Sequence, residues 1–113
     1  MRFEDLEVWR RSLTLSCSVY KAFKLSKEYG LKDQITRSSL SIPSNIAEGC
    51  GRNHVKELIQ FLNISIASIC ELETQLYLTL DLELITKDKI DPLVTEITEI
   101  RKMINGYINS QKK

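Results

Sequence analysis

The sequence has few of the residues that interrupt regular helices: two prolines, Pro43 and Pro92, and four glycines in 113 residues. A β-sandwich needs turn residues at short intervals, so this scarcity argues against an all-β fold. No stretch is long and apolar enough to span a membrane, and the charged segment 1–11 does not resemble a signal peptide. We therefore predict a cytoplasmic protein with no membrane partner, built as a single domain over residues 1–113.

Residues that catalyse reactions or bind metals are also scarce. His54 is the single histidine, and the sequence has no Glu-x-x-His pair, Walker loop, GxGxxG or HExxH motif. Cys17, Cys50 and Cys70 are too widely spaced for a zinc site, and we expect them to be buried free thiols in a reducing compartment. These absences predict a protein that is not an enzyme and that uses no cofactor, metal or small-molecule substrate.

An excess of charge is missing as well, because the net charge is only +1. The distribution is nevertheless uneven: residues 1–56 carry ten Lys and Arg against six Asp and Glu, and residues 57–113 carry six against nine. A local excess of positive charge is the electrostatic signature of a nucleic-acid surface. The candidate nucleic-acid surface comprises Arg10, Arg11, Lys21, Lys24, Lys27 and Lys32.

Apolar residues recur at steps of three and four in four segments, which is the period of an amphipathic helix. The pattern predicts helices over about 5–24, 31–49, 53–82 and 91–110, with a kink at Pro43 and with Pro92 in the first turn of the last helix. Short connections between long helices favour an all-α, antiparallel up-down-up-down four-helix bundle.

The first predicted helix has two apolar rows on opposite sides. One row is Leu6, Trp9, Leu13, Cys17 and Tyr20, and the other is Val8, Ser12, Leu15, Val19 and Phe23. A helix in a small bundle needs one apolar stripe, so the second row indicates a further partner, most simply another copy of the chain. The candidate oligomer surface is Val8, Leu15, Val19 and Phe23.

Glu73 falls on the apolar side of the third predicted helix. A buried carboxylate without a partner costs several kcal/mol, so we predict that Glu73 is mostly buried and hydrogen-bonded. Arg37 is the first choice of partner, and Asn45 is the second.

Three stretches, FEDLEVW at 3–9, SIPSNIAEG at 41–49 and ELETQL at 71–76, resemble the 23S rRNA intervening-sequence protein family, which is also described as ribosomal-protein-like. The resemblance implies a small bacterial four-helix bundle that assembles as a ring-like homopentamer. A related branch, the accessory variability determinants of diversity-generating retroelements, binds reverse transcriptase and nucleic acid. The polar positions that match the family pattern are Arg37, Asn45, Glu48, Arg52, Glu71 and Glu73.

This chain departs from the resemblance in charge. Relatives commonly show paired basic residues where Thr36 and Arg37 stand, and the retroelement branch is more positive than +1. We expect a non-enzymatic, homo-oligomeric binding or scaffold module that contacts structured RNA or a ribonucleoprotein. The alternatives are a protein-interaction adaptor with no nucleic-acid contact, and an enzyme that uses a polar cluster of Arg37 with Glu48 or Glu73.

Overall fold

The structure, a computed structural model, describes residues 2–112. Four α-helices and a leading 3-10 turn at Phe3–Asp5 make up this part of the chain, and it contains no strand. The helices are α1 Glu7–Phe23, α2 Tyr29–Cys50, α3 Val55–Asp81 and α4 Lys87–Gln111. The predicted all-α class is confirmed.

The helices close into a bundle in which each one packs against two neighbours. The neighbouring pairs are α1–α2, α2–α3, α3–α4 and α1–α4, and over residues 2–112 no Cα atoms of a diagonal pair lie within 8 Å of each other. The longest connections, 24–28 and 82–86, can reach only about 18 Å when fully extended. The bundle is 44 Å long and 21 by 20 Å across. A connection therefore cannot return along the bundle, and consecutive helices run antiparallel.

All four helix starts differ from the predicted ones. α1 begins at Glu7 and α3 at Val55, each two residues late. α2 begins at Tyr29, two residues early, and α4 begins at Lys87, about one turn early. In α4 the extra turn buries Ile90 against the core, and burial of an apolar side chain outweighs the weak local propensity of these residues. As a result Pro92 lies in the second turn of α4 and not in the first.

The two apolar rows of α1 have exchanged the roles that the sequence predicted. Val8, Leu15, Val19 and Phe23 are each at most 5% exposed and belong to the hydrophobic core, so the predicted oligomer surface is wrong. The row containing Leu13, Cys17 and Tyr20 points outward. Both rows have the same helical spacing, and periodicity gives the axis of a stripe without saying which stripe meets the neighbouring helices.

Small residues bring α2 close to α3. Ser65 of α3 is fully buried, and its hydroxyl donates to the backbone carbonyl of Ile42 at 3.0 Å. Near the end of α2, a Cβ atom added to Gly49 would lie 3.0 Å from the Cβ atom of Phe61. The inner side of α2 carries Ile35, Ser38, Ile42, Ile46 and Gly49, which are all buried.

A serine of α1 supplies the hydrogen-bond donor that α2 lacks because of Pro43. Proline has no N–H, so the carbonyl of Ser39 lacks the donor that a helix normally supplies four residues later. Ser16 of α1 fills this position, because its hydroxyl lies 2.9 Å from that carbonyl oxygen and donates to it. The hydrogen bond ties α1 to α2, and α2 remains helical on both sides of Pro43.

We predict that Ser16→Ala lowers the free energy of unfolding by about 1–2 kcal/mol, because it leaves the carbonyl of the buried residue Ser39 without a donor. In a Pro43→Ala background the helix supplies its own N–H, and the same change should cost less than about 0.5 kcal/mol. Urea denaturation at one fixed protein concentration measures both effects. Ser18→Ala, an exposed serine on the same helix, is the control. Equal costs of Ser16→Ala in the two backgrounds would show that the hydrogen bond does not replace the missing donor.

Candidate functional site

An apolar groove lies on the outer side of the bundle between α1 and α2. Leu13 and Tyr20 of α1 and Leu40 of α2 are 38%, 49% and 51% exposed, although all three are large apolar or aromatic side chains. The groove encloses about 280 Å³. Its lining consists of Leu13, Ser16, Cys17, Tyr20, Lys21, Thr36, Ser39 and Leu40.

Apolar side chains are also exposed along the outer side of α3, which we call the α3 face. Ile64, Tyr77, Leu78 and Cys70 are exposed there, together with the polar residues Asn63, Glu71 and Thr74. Because α3 lies diagonally across the bundle from α1, this face and the α1–α2 groove point in different directions. Apolar residues of α3 lie on both its buried and its exposed sides, so their spacing in the sequence does not distinguish this surface from the core side of the helix.

The cysteines do not all have the burial that was expected. Cys17 lies in the α1–α2 groove and Cys70 on the outer face of α3, so these two thiols are exposed and the prediction of burial is wrong for them. Cys50 is half-buried beside Tyr107, and burial raises the pKa of its thiol. Between residues 2 and 112, no three His, Cys, Asp or Glu side chains are grouped so that they could hold a metal ion. No helix in the same range has the length and apolar character needed to cross a membrane.

Three of the predicted basic residues form an open surface at one end of the bundle. Lys21, Lys24 and Lys27 are exposed, and none has an acidic partner within salt-bridge distance among residues 2–112. Lys32 is half-buried, and its ammonium group donates to the carbonyl of Lys24 at 2.9 Å. This bond fixes the position of the lysine without neutralising its charge. We call Lys21, Lys24, Lys27 and Lys32 the basic end.

The two predicted arginines do not belong to the basic end. Arg11 pairs with Glu96 of α4 through two hydrogen bonds, one of them 3.0 Å from Nε to the carboxylate, so its charge is matched and its place on the predicted surface is wrong. Arg10 lies at the other end of α1 and donates to the carbonyl of Glu4 at 2.7 Å. The arginines of α1 therefore hold the bundle and its leading turn together.

Two exposed tyrosines adjoin the basic end. Tyr20, near the end of α1, and Tyr29, the first residue of α2, are 49% and 69% exposed. Together with Lys32, Asp33 and Thr36 they line a shallow cavity of about 230 Å³. This grouping was not predicted, although the sequence contains one signal for it: Tyr29 lies between Lys27 and Lys32, before the start of the second predicted helix.

Two of the six family-patterned polar positions, Asn45 and Glu71, lie where α2 meets α3. Glu71 accepts a hydrogen bond from the buried Ser38 across the two helices. Asn45 donates to Ser41 at 2.8 Å through the backbone carbonyl and at 2.9 Å through the hydroxyl. Ser41 in turn lies 2.8 Å from the hydroxyl of Ser68 on α3. These side chains join the two helices, so their polar character follows from packing.

The remaining patterned residues pair within single helices or with their neighbours. Arg52 forms an ion pair with Glu48 one turn before it, and its guanidinium lies 4.8 Å from the centre of the Phe61 ring. Arg37 is 80% exposed and pairs with Asp33 at 3.2 Å. Arg37 is therefore available to solvent and does not enter the core.

Glu73 is covered and hydrogen-bonded as predicted, but its partners differ from those expected. Its side chain is 21% exposed and forms an ion pair with Arg101 of α4. The Tyr77 hydroxyl also donates to it at 3.1 Å, and this bond raises the pKa of Tyr77. The Glu73 carboxylate likewise raises the pKa of Arg101 above its ordinary value. The prediction of Arg37, or Asn45, as partner is wrong, because Glu73 faces α4 and both candidates are on α2.

The fold and surfaces define a small four-helix bundle with two apolar outer faces and one basic, aromatic end. A model of the 23S rRNA-intervening sequence protein family matches residues 4–106. The match covers most of the chain, and the chain belongs to the 23S rRNA-intervening sequence protein family. This confirms the resemblance seen in the three sequence stretches.

A solved structure supports the same assignment. The chain is similar to a protein of unknown function from the S23 ribosomal protein family of Bacteroides thetaiotaomicron, with 30% sequence identity and a TM-score of 0.84. The similarity covers 89% of this chain and 97% of that one. No curated protein matches the chain. The shared fold thus extends over nearly the whole bundle.

The ion pair of Glu73 gives a direct test of the two candidate arginines. We predict that Arg101→Met lowers the free energy of unfolding by about 1–2 kcal/mol, because it leaves a largely covered carboxylate without its partner while keeping an apolar stem. Arg37→Met removes an exposed i,i+4 pair and should cost less than about 0.5 kcal/mol. Urea denaturation of the two variants compares them directly. A larger loss for Arg37→Met would contradict the assignment of Arg101.

Proposed function

We propose that this protein is a non-enzymatic, homo-oligomeric binding module that contacts structured RNA through its basic end. The observation that carries the proposal is the surface itself: two apolar faces that point in different directions, and a separate end with open lysines. In this proposal the apolar faces join copies of the chain, and the basic end of each copy remains available to RNA.

The placement of the apolar faces supports self-association. A single exposed patch would favour a symmetric dimer, in which the same surface meets itself. Two different faces instead favour head-to-tail contacts, in which the α1–α2 groove of one copy receives the α3 face of the next. Such contacts close into a ring when the rotation between copies allows it. A ring-like pentamer, the assembly that the family resemblance implies, is the arrangement that we propose.

The basic end supports contact with RNA. Phosphate groups attract lysines without requiring a particular base sequence, and each neutralised phosphate releases counterions. A single copy offers only a few open lysines, in keeping with the net charge of +1. Repeating the basic end around a ring would link several weak contacts to one RNA, and linked contacts raise the overall affinity without any new interaction.

The hydrogen bonds of the serines support a role without catalysis. Ser38 donates to the side chain of Glu71, and Ser39 donates to the carbonyl of Thr36 at 2.9 Å. A serine nucleophile needs a nearby base to accept its proton and an open path to substrate. Both of these hydroxyls are buried in helix contacts, where they stabilise the bundle.

A mixing experiment tests the head-to-tail arrangement. We predict that the unmodified protein is larger than a dimer at micromolar concentration. Leu40→Asp in the groove and Leu78→Asp on the α3 face should each give monomers, because a carboxylate would be buried at the contact. Each variant keeps one intact face, so mixing the two should give a one-to-one heterodimer. Light scattering coupled to size-exclusion chromatography measures every mass.

The control for this experiment is Leu25→Asp, which changes a 90% exposed leucine in the α1–α2 connection, outside both faces. It should leave the mass of the assembly unchanged. A monomeric unmodified protein would exclude self-association. Monomers that fail to combine after mixing would exclude the head-to-tail contact.

A charge-reversal experiment tests the contact with RNA. We predict that changing Lys24 and Lys27 together to Glu abolishes retention of RNA, while the helical signal and the mass of the assembly stay the same, because neither residue lines the α1–α2 groove. The unmodified protein should bind more weakly as salt rises, because phosphate contacts release counterions. The matched control changes Lys56 and Lys89 to Glu, which alters the net charge equally at exposed positions elsewhere. If the unmodified protein retains no RNA even at low salt, the adaptor without nucleic-acid contact replaces this proposal.

A further inference from the structure

We propose that the tyrosine cavity beside the basic end binds unpaired nucleotides, with a base stacked on Tyr29 and the flanking phosphates held by the lysines. This inference rests on the proposed contact with RNA and specifies which part of a structured RNA is bound. It assigns a role to Tyr29, whose ring the packing of the bundle leaves 69% exposed.

The rings of Tyr20 and Tyr29 are both exposed to solvent. Aromatic side chains normally supply a large share of core burial, yet Tyr29 is 69% exposed and Tyr20 is 49% exposed. Both rings border the same shallow cavity of about 230 Å³. A nucleobase is flat and apolar on its faces, so it can lie against an exposed aromatic ring whatever its sequence identity.

Lysines lie on the chain next to both tyrosines. Lys21 and Lys24 follow Tyr20 on the chain, and Lys27 precedes Tyr29, so lysines flank both rings. Single-strand binding sites combine aromatic rings for bases with cationic side chains along the backbone. Lys32 lies in the cavity wall itself, with its ammonium group already held by a backbone carbonyl.

The cavity also contains an acidic side chain, which favours a base over a phosphate. Asp33 lines the cavity, and Arg37 lies 3.2 Å from its carboxylate and offsets part of its charge. Glu28 is also exposed at the start of α2. A carboxylate repels a phosphate but accepts hydrogen bonds from the amino groups of bases. The cavity therefore suits a base, and the phosphates belong outside it, beside the open lysines.

The geometry also distinguishes unpaired from paired RNA. In an A-form helix the bases are stacked on one another, and their faces cannot reach a side chain on a protein surface. Loops, bulges and ends expose the faces of their bases. The cavity should therefore add affinity for unpaired segments and none for a continuous duplex.

The experiment compares Tyr29→Ala with Tyr29→Phe in the full-length protein. Tyr29 is chosen because Tyr20 also borders the α1–α2 groove, so a change there would affect the apolar contact as well. Fluorescence anisotropy measures binding to a labelled, unstructured RNA and to a duplex of equal length over a range of salt concentrations. Light scattering and circular dichroism confirm that each variant keeps the mass and helicity of the unmodified protein.

We expect Tyr29→Ala to weaken binding of the unstructured RNA about 5-fold to 100-fold, the range expected for losing one stacked base. The dependence on salt should stay the same, because no phosphate contact is removed. Binding of the duplex should change little. Tyr29→Phe should bind the unstructured RNA as the unmodified protein does, because it keeps the stacking surface.

Two results would overturn the inference while leaving the proposed function intact. In the first, Tyr29→Ala binds the unstructured RNA as tightly as the unmodified protein, although reversing the charge of the basic end abolishes binding. In the second, Tyr29→Ala weakens binding of the duplex and of the unstructured RNA equally. If the unmodified protein binds neither RNA at low salt, the proposed function and the inference fail together.

Discussion

Small side chains along α2 allow its backbone to lie close to both of its neighbours, and the other features of the bundle depend on this close approach. Serine hydroxyls can enter a helix contact only if each finds an acceptor, and here they do so across the contacts, from Ser65 to α2 and from Ser16 to α2. Gly49 completes the contact at the end of α2, where any Cβ atom would press against Phe61. A bundle of this size therefore closes without a large aromatic core.

The close contact of α2 with α1 also determines which surfaces remain outside. Once Val8, Leu15 and Val19 fill the core, the opposite side of α1 has no place in the monomer. Leu13 and Tyr20 then lie beside Leu40 and form an apolar groove. Burying such a surface is favourable by roughly 25 cal/mol per Å² of apolar area, so covering the groove with a second copy would stabilise an oligomer. One side of α1 therefore packs in the core of the monomer, and the opposite side is left for contact between copies.

The general form of the fold could be predicted from the sequence, because the helical period of apolar residues is strong in all four segments. Periodicity does not show which side of a helix faces which neighbour. It gave both apolar stripes of α1 without showing which one is buried in the monomer. It also placed Glu73 on an apolar side of α3 without identifying the helix that packs there. Arg11 and Arg101 reach their partners, Glu96 and Glu73, only through the contacts of α4 with α1 and α3. Such pairs depend on how helices are rotated against one another, which follows from detailed packing rather than from spacing.

The hydrogen bond that Ser16 makes to α2 has a consequence for how the bundle folds. An isolated α2 would contain an interior carbonyl that nothing in its own backbone can satisfy, in addition to the ordinary cost of starting a helix. Docking of α1 removes this defect, so the two helices gain stability from each other and behave as one cooperative unit. Because the connection between them is only five residues, 24–28, this meeting requires little loss of chain entropy. Because of Pro43, the formation of α2 therefore depends on its packing against α1.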